Sequence, residues 1–246
     1  MDHKRLTELA DRSYNGGIYT FTDFCDMAVI SEFYSHEREF DHVHPKLYGG
    51  YEMAERRMIR FGDEEELGYE VDFPIKSLAI KPLKAEFADE LSHRDYLGAL
   101  MNLGIRREMI GDIFVRDRVA LVFCKDSIAD YIIDNLRRVR HTSVSVSIEE
   151  NISELTGPRL TEKIIQVTSA RVDAVISRVF NISRQESLNL FPVGNVYLNG
   201  RICTENAKAL KTGDIVSARG YGKFEFMEEI GESRKGKLNC RIGVYS

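Results

Sequence analysis

Apolar positions along the first seventy-two residues recur at helical spacing in three stretches, LTELADRSY, TDFCDMAVISEFY and GYEMAERRMIRF, joined by the polar segment SHEREFDHVHPKLYGG. The spacing predicts a helical N-terminal domain over residues 1–75, closing in the acidic run GDEEELGYEVD, a solvated loop. The period then changes. SLAIKPL alternates as a strand, HRDYLGALMNLG returns to helical spacing, and DIFVR and RVALVFCK read as two strands. SIADYIIDNLRRV is an amphipathic helix, and TSVSVSIEE alternates again. The order β-α-β-β-α-β over residues 76–150 predicts a ferredoxin-like domain, the topology also used by RNA-recognition (RRM) domains. Phe114 and Phe123 fall on strands expected at the centre of that sheet, where core packing has at least as strong a claim on them as base stacking. Gly157-Pro158 marks a linker, and a third domain follows over residues 165–246.

Within that third domain, the stretch NISRQESLNLFPVGNVYLNG sets Ser183 three residues before Glu186, a capping box that starts a short helix at Arg184. Pro192 and Gly194 end it, NVYL alternates as a strand, and Asn199-Gly200 is a type I′ hairpin signal leading into RICTE. Gly213-Asp214 turns the chain into IVSARG. Upstream, Ser169 reads as the cap of another helix with Arg171 in its first turn. A cation in a first turn opposes the helix dipole at a cost of about 0.3–1 kcal/mol. Two such arginines are accounted for if an anion sits between them, since helix N-termini and guanidinium groups both bind phosphate.

Charge sharpens this reading. The chain of 246 residues carries a net charge of −5, but residues 1–75 hold eight Lys and Arg against seventeen Asp and Glu, a balance of −9, and the remainder is +4. Between Arg171 and Phe226, eight basic residues face five acidic ones. The asymmetry points to nucleic-acid contact in the C-terminal part, through Arg171, Arg184, Arg201, Lys208 and Arg219, with Arg106 and Arg107 as secondary contacts. Cations near helix ends, such as Arg137, Arg138 and Arg140, also suit the dipole of the preceding helix. The four cysteines are far apart, with no C-x-x-C pair, and read as reduced thiols. His36, His42 and His44 lack a second cluster at ligand spacing, so no metal and no cofactor is expected. No run reaches the length of a membrane span and the N-terminus lacks the apolar centre of a secretory signal, so a cytoplasmic monomer is expected.

R-V-D-A-V-I, S-R-Q-E-S, G-N-V-Y-L-N-G and K-T-G-D-I-V, in that order over about 55 residues, resemble the small RNA-binding domain named after ribosomal protein S-four, the alpha-L motif. The resemblance implies that Arg171, Ser183, Arg184 and Gln185, with the turn at Asn199, Gly200 and Arg201, lie on a surface that grips structured RNA. Asn195 stands where that domain often has a basic residue, Ser187 replaces its usual alanine, and Phe191-Pro192-Val193 precedes the glycine. Further upstream, GGYEMAERR and HRDYLGALMNLGIRREMIGDI resemble the YlmH family of bacterial and plastid proteins, over nearly the whole chain. That family implies an α+β protein with an N-terminal helical domain, a central RRM-like domain and a C-terminal alpha-L RNA-binding domain. It also implies binding of rRNA and tRNA on the large ribosomal subunit, in quality control of obstructed peptidyl-tRNA.

Two other classes compete. Alpha-L modules also accompany pseudouridine synthases, so an rRNA-modifying enzyme is one alternative. However, Arg171-Val172-Asp173 does not continue into that enzyme's catalytic pattern, and residues 76–149 are too few for a catalytic domain. P-loop, G-x-S-x-G, H-E-x-x-H and dinucleotide-turn patterns are absent, and Gly49-Gly50 lacks the preceding strand a phosphate loop needs. No catalytic residue is therefore expected. The other alternative is a protein-interaction adaptor, linked to cell division, that uses the acidic first region.

Overall fold

The computed structural model describes residues 3–156, 160–233 and 236–245. The chain divides into two compact units, Met1–Gly157 and Pro158–Ser246. The expected linker at Gly157-Pro158 lies outside the described residues.

The first unit begins with α1 (His3–Gly16), β1 (Thr20–Phe21) and α2 (Met27–Ser35), the last capped by Asp26, whose carboxylate accepts from the N–H groups of Ala28 and Val29. A 3-10 segment, Glu37–Val43, leads to β2 (Lys46–Tyr48), β3 (Met58–Phe61) and the short α3 (Glu64–Leu67). The strands form an antiparallel sheet in the order β1-β3-β2. Its core joins Leu6, Leu9 and Ala10 of α1 to Ile30, Phe33, Phe40, Ile59 and Phe61. This sheet corrects the mainly helical reading of residues 1–75, which held no strand. The segment read as the helix GYEMAERRMIRF is a turn followed by β3, in which all four residues are buried. A strand covered on both faces loses its alternation and reads as an apolar run, which a nearby Met53 and Ala54 make look helical.

Residues 75–148 then supply β4 (Ile75–Pro82), α4 (His93–Asn102), β5 (Ile110–Arg116), β6 (Val119–Lys125), α5 (Asp126–Asn135), β7 (Arg138–Val139) and β8 (Thr142–Ile148). The sheet order β5-β6-β4-β8-β7 is antiparallel throughout, the ferredoxin-like arrangement with one added edge strand. Asp95 starts α4 by accepting from the Ser92 N–H (2.8 Å) and hydroxyl (2.7 Å). One face of the sheet, with Leu78, Ile80, Val122 and Cys124, packs on Tyr96, Leu100, Ala129 and Ile132 of the two helices. The expected second helix stops at Asn135, so Arg138 lies on an edge strand and Arg140 in a hairpin turn with φ +51°, paired with Asp95 at 3.0 Å. Their positions owe nothing to a helix dipole. A one-turn helix, α6 (Ser153–Thr156), ends the described part of this unit.

The opposite face of this sheet is where an RNA-recognition domain would display its stacking aromatics, and here the first part of the same unit covers it. Phe24 and Met58 bury Leu121 and Phe123, and the ring of Tyr51 stacks on Phe123 at 5.3 Å. Phe114 is on β5, an edge strand and not a central one, and meets Tyr51 edge-on at 5.1 Å. Gly50, at φ +99°, fits against Phe123 so closely that a Cβ there would come within 2.3 Å of the ring. Close approach therefore accounts for Gly49-Gly50. Asp112 locks the arrangement by accepting from Tyr51 Oη (2.7 Å) and the N–H groups of Glu55 (2.7 Å) and Arg56 (3.1 Å). Burial beside that carboxylate pushes the Tyr51 hydroxyl far above its ordinary pKa.

The second unit contains β9 (Leu160–Val167), α7 (Val172–Val179), α8 (Arg184–Asn189), β10 (Val196–Leu198), β11 (Arg201–Ile202), β12 (Asp214–Ala218), β13 (Gly222–Glu232) and β14 (Leu238–Tyr245). They form an antiparallel sheet in the order β11-β10-β12-β13-β14-β9, with α7 and α8 packed through Val172, Val175, Ile176 and Leu190 onto Val196, Val216, Phe224 and Ile242. All four cysteines of the chain are buried free thiols, and burial pushes that of Cys124 up to about 12.

Candidate nucleic-acid interface

The second unit gathers several of the expected residues where α7 and α8 begin. Arg171 is itself the N-cap residue of α7, so Ser169 is not the cap and the helix begins two residues later than expected, whereas Arg184 is the first residue of α8 as expected. Between them lies an anion the sequence reading did not foresee: the carboxylate of Asp173, a fully buried side chain. Arg171 donates Nε–H to Oδ1 (3.1 Å) and Nη2–H to Oδ2 (3.1 Å), and Arg184 Nη2–H donates to Oδ2 (3.2 Å). One carboxylate thus fixes two guanidinium groups whose side chains remain 36% and 53% exposed. The two-bond pairing sets the plane of the Arg171 guanidinium as well as its position, while the single bond anchors Arg184 by one nitrogen. Asp173 is itself held by its backbone. Its carbonyl accepts from the buried hydroxyl of Ser187 (2.7 Å), the residue that departs from alanine, and its N–H donates to the carbonyl of Asn206 (3.2 Å).

The loop after β11 closes the start of α7: the Val172 N–H donates to the Lys208 carbonyl (2.9 Å), and the Leu210 N–H to that of Ala170 (2.8 Å). At α8 the capping box forms as expected, with Ser183 Oγ accepting from the Glu186 N–H (3.1 Å) and the Ser183 N–H donating to Glu186 (2.8 Å). Hydrogen bonding to the Glu186 carboxylate from the Ser183 side chain, and then from its N–H, holds that carboxyl below its usual range. The first-turn N–H groups of Val172, Asp173 and Glu186 are therefore engaged. An anion approaching this corner meets guanidinium groups, with the exposed side chains of Gln185, next to Arg184 in the chain, and of Lys208, on the loop bonded to the start of α7. Gln185 also bonds Asn189 one turn along (3.0 Å).

Asn199 and Arg201 sit on the hairpin at the sheet's edge, with Asn199 at φ +52° and Gly200 at +79°. The Asn199 amide is used in the fold: Nδ2–H donates to Asp214 (2.8 Å) and Oδ1 accepts from the Ile215 N–H (2.8 Å). Arg219 lies at the other end of β10, its N–H bonded to the Asn195 carbonyl (2.8 Å) and its side chain exposed. The cations thus form a group around Asp173 and two outlying positions at opposite ends of one strand.

In the first unit, Arg106 is exposed and 3.7 Å from Asp23. Arg107 is half-buried and committed to the fold, donating to the carbonyls of Ile110 (2.6 Å) and Gly111 (3.2 Å) beside Arg56, and burial lowers its pKa to about 10. Among the described residues, no helix is long and apolar enough to cross a membrane.

Residues 69–153 match the family model described as "Putative RNA-binding domain in YlmH". The chain is 31% identical over 195 residues to the protein named ribosome-associated protein quality control protein P2 of Bacillus subtilis, covering 77% of this chain and 73% of that one. The solved structure titled cell division protein ylmH, from Streptococcus pneumoniae, aligns over 61% of this chain and 90% of its own at 18% identity, with a TM-score of 0.49.

Proposed function

This chain belongs to the YlmH family, and on that footing we propose that it is a non-catalytic RNA-binding protein that grips structured rRNA and tRNA on the large ribosomal subunit. Its task would be ribosome-associated quality control of obstructed peptidyl-tRNA, in line with the name of the Bacillus relative. The observation that carries the reading is the pair of half-exposed guanidinium groups locked onto buried Asp173. Arg171 held in a fixed plane by two bonds, beside Arg184 anchored by one to the same carboxylate, both with partly exposed side chains, suits the capture of phosphate oxygens. Lys208, Arg201 and Arg219 would extend the contact along the backbone, Ser183 and Gln185 would add polar contacts, and Asn199 would shape the hairpin. Recognition would be by helix shape and phosphate position.

The central domain would contribute through its edges and loops, because the aromatic face of its sheet is internal. Support for a non-catalytic role comes from Asp173. Both oxygens of this carboxylate are engaged by arginines and none of the side chain is exposed, which leaves no room to attack a nucleoside. Sedimentation of lysate with wild-type chain and Arg184→Ala tests the proposal. Wild type should travel with large subunits and the variant should remain near the top; if both stay at the top, the ribosomal reading fails.

A further inference from the structure

A cluster in the first unit has no part in this surface. His3 begins α1, His36 closes α2, and Glu39 lies in the 3-10 segment that follows. Two stretches thereby converge, the start of α1 and the corner after α2: His3 Nε2 is 3.2 Å from Glu39 Oε2, and His36 Nδ1 is 2.9 Å from Glu39 Oε1. The two imidazole rings are 4.6 Å apart, and the three donor atoms all lie within 4.8 Å of one another. Behind His36, its other nitrogen is 3.4 Å from the carboxylate of Glu32.

We infer that His3, His36 and Glu39 bind a divalent transition-metal ion of the zinc class, with water in the fourth position. Tetrahedral bonds of about 2.0–2.1 Å put ligand atoms roughly 3.3 Å apart; the two histidine–glutamate pairs, one to each oxygen of Glu39, stand at 3.2 and 2.9 Å, and a small turn of the carboxylate brings the set, within 4.8 Å, onto one ion. Two imidazoles with one carboxylate suit zinc and its neighbours and are the wrong set for magnesium or calcium, which take oxygen. Glu32 stands where a carboxylate orients a metal-bound histidine through its second nitrogen. Partial exposure of all three side chains leaves an entry path. A second cluster, His44 with Asp63 and Glu66, lacks this form. It sets one imidazole against two carboxylates, at 3.7 and 3.5 Å, a donor set richer in oxygen and less suited to zinc. The bound ion would tie the start of α1 to the corner after α2.

The test is calorimetric titration of zinc chloride into the full-length chain without an affinity tag, followed by the visible spectrum of the cobalt-substituted protein. One equivalent should bind, with the absorption of tetrahedral cobalt. His3→Ala and His36→Ala should each weaken binding at least tenfold, Glu32→Gln by about tenfold, and His44→Ala should leave it unchanged. Circular dichroism identical to wild type separates loss of ligands from loss of fold, and Glu39→Gln keeps the side-chain shape as a second check. Absence of saturable binding, or binding that survives both histidine variants in folded protein, overturns the site. Neither outcome depends on RNA binding.

Discussion

Asp173→Asn sets two effects against each other at the proposed RNA surface. The substitution keeps the side-chain shape but replaces one acceptor oxygen with an amide that meets the N–H groups of Arg171 and Arg184 donor to donor. Counting charge alone, removal of an anion next to a phosphate site should tighten binding. At roughly 7 Å, with a dielectric between water and protein surface and physiological screening, that gain is at most about 1 kcal/mol. Against it stands the loss of the common anchor. Each long side chain that must be ordered on binding costs about 0.5–1.5 kcal/mol, so two released arginines cost about 1–3 kcal/mol. At the middle of that range, about 2 kcal/mol against a gain of at most about 1, positioning wins by about 1 kcal/mol, and affinity should fall about fivefold. Unfolding stability of the second unit should drop by about 1–3 kcal/mol from the mismatched buried amide. Filter binding to purified large-subunit rRNA at fixed salt, with circular dichroism as a check of folding, reads both. A folded Asp173→Asn that binds as tightly as wild type, or tighter, would falsify the positioning role and leave Asp173 a purely structural residue.

Further outcomes follow from the same geometry. If Arg171, Arg184, Arg201, Lys208 and Arg219 each meet a phosphate, log K against log salt should have a slope of about −3.5 to −4.5, and Arg184→Ala should make it shallower by about one; an unchanged slope removes Arg184 from the contact. Gly50→Ala should cost about 2–4 kcal/mol, because the added Cβ collides with Phe123 at a positive φ, whereas Gly98→Ala in α4, with open space around it, should gain about 0.5–1 kcal/mol. Denaturant titrations of the two variants that gave the same midpoint would contradict the close approach at Gly50. Because the folded pKa of Glu186 is depressed, its capping contribution should be full above the unfolded value of about 4.3 and be lost as pH falls through the lower folded value. Carbon-detected titration of that carboxyl by NMR should show the low midpoint, and Ser183→Ala should raise it.

Legibility in the sequence followed the range of the interactions. The capping box at Ser183 and Glu186, the hairpin at Asn199-Gly200 and the order of strands and helices in the central domain are local, with periods and turn residues that announce them. β3 was hidden because both of its faces are covered, and the covering of Phe123 was hidden because Phe24 and Met58 approach it from sixty or more positions away. At the candidate interface the two arginines were visible as charges in awkward places. Their partner was not: Asp173 is an ordinary first-turn acid in the pattern, and only the fold shows it buried beneath both. His3 likewise joins the local pair His36 and Glu39 only once α1 has packed against the segment after α2.

The seating of the first seventy residues on the central sheet also governs the order in which this chain can complete itself during synthesis. Phe24, Met58 and Arg56 emerge early, yet the groups that satisfy them, Phe123, Leu121 and the carbonyl of Ile110, are made some fifty to a hundred residues later. The N-terminal segment must therefore wait, half-built, until β6 has left the ribosome, and slow closure is what such distant pairings impose. A chain cut after residue 75 would have no place to bury Phe24, and one begun at residue 76 would present Leu121 and Phe123 to water. The adaptor hypothesis is thus better tested by point changes on the acidic surface than by removing the segment that carries it.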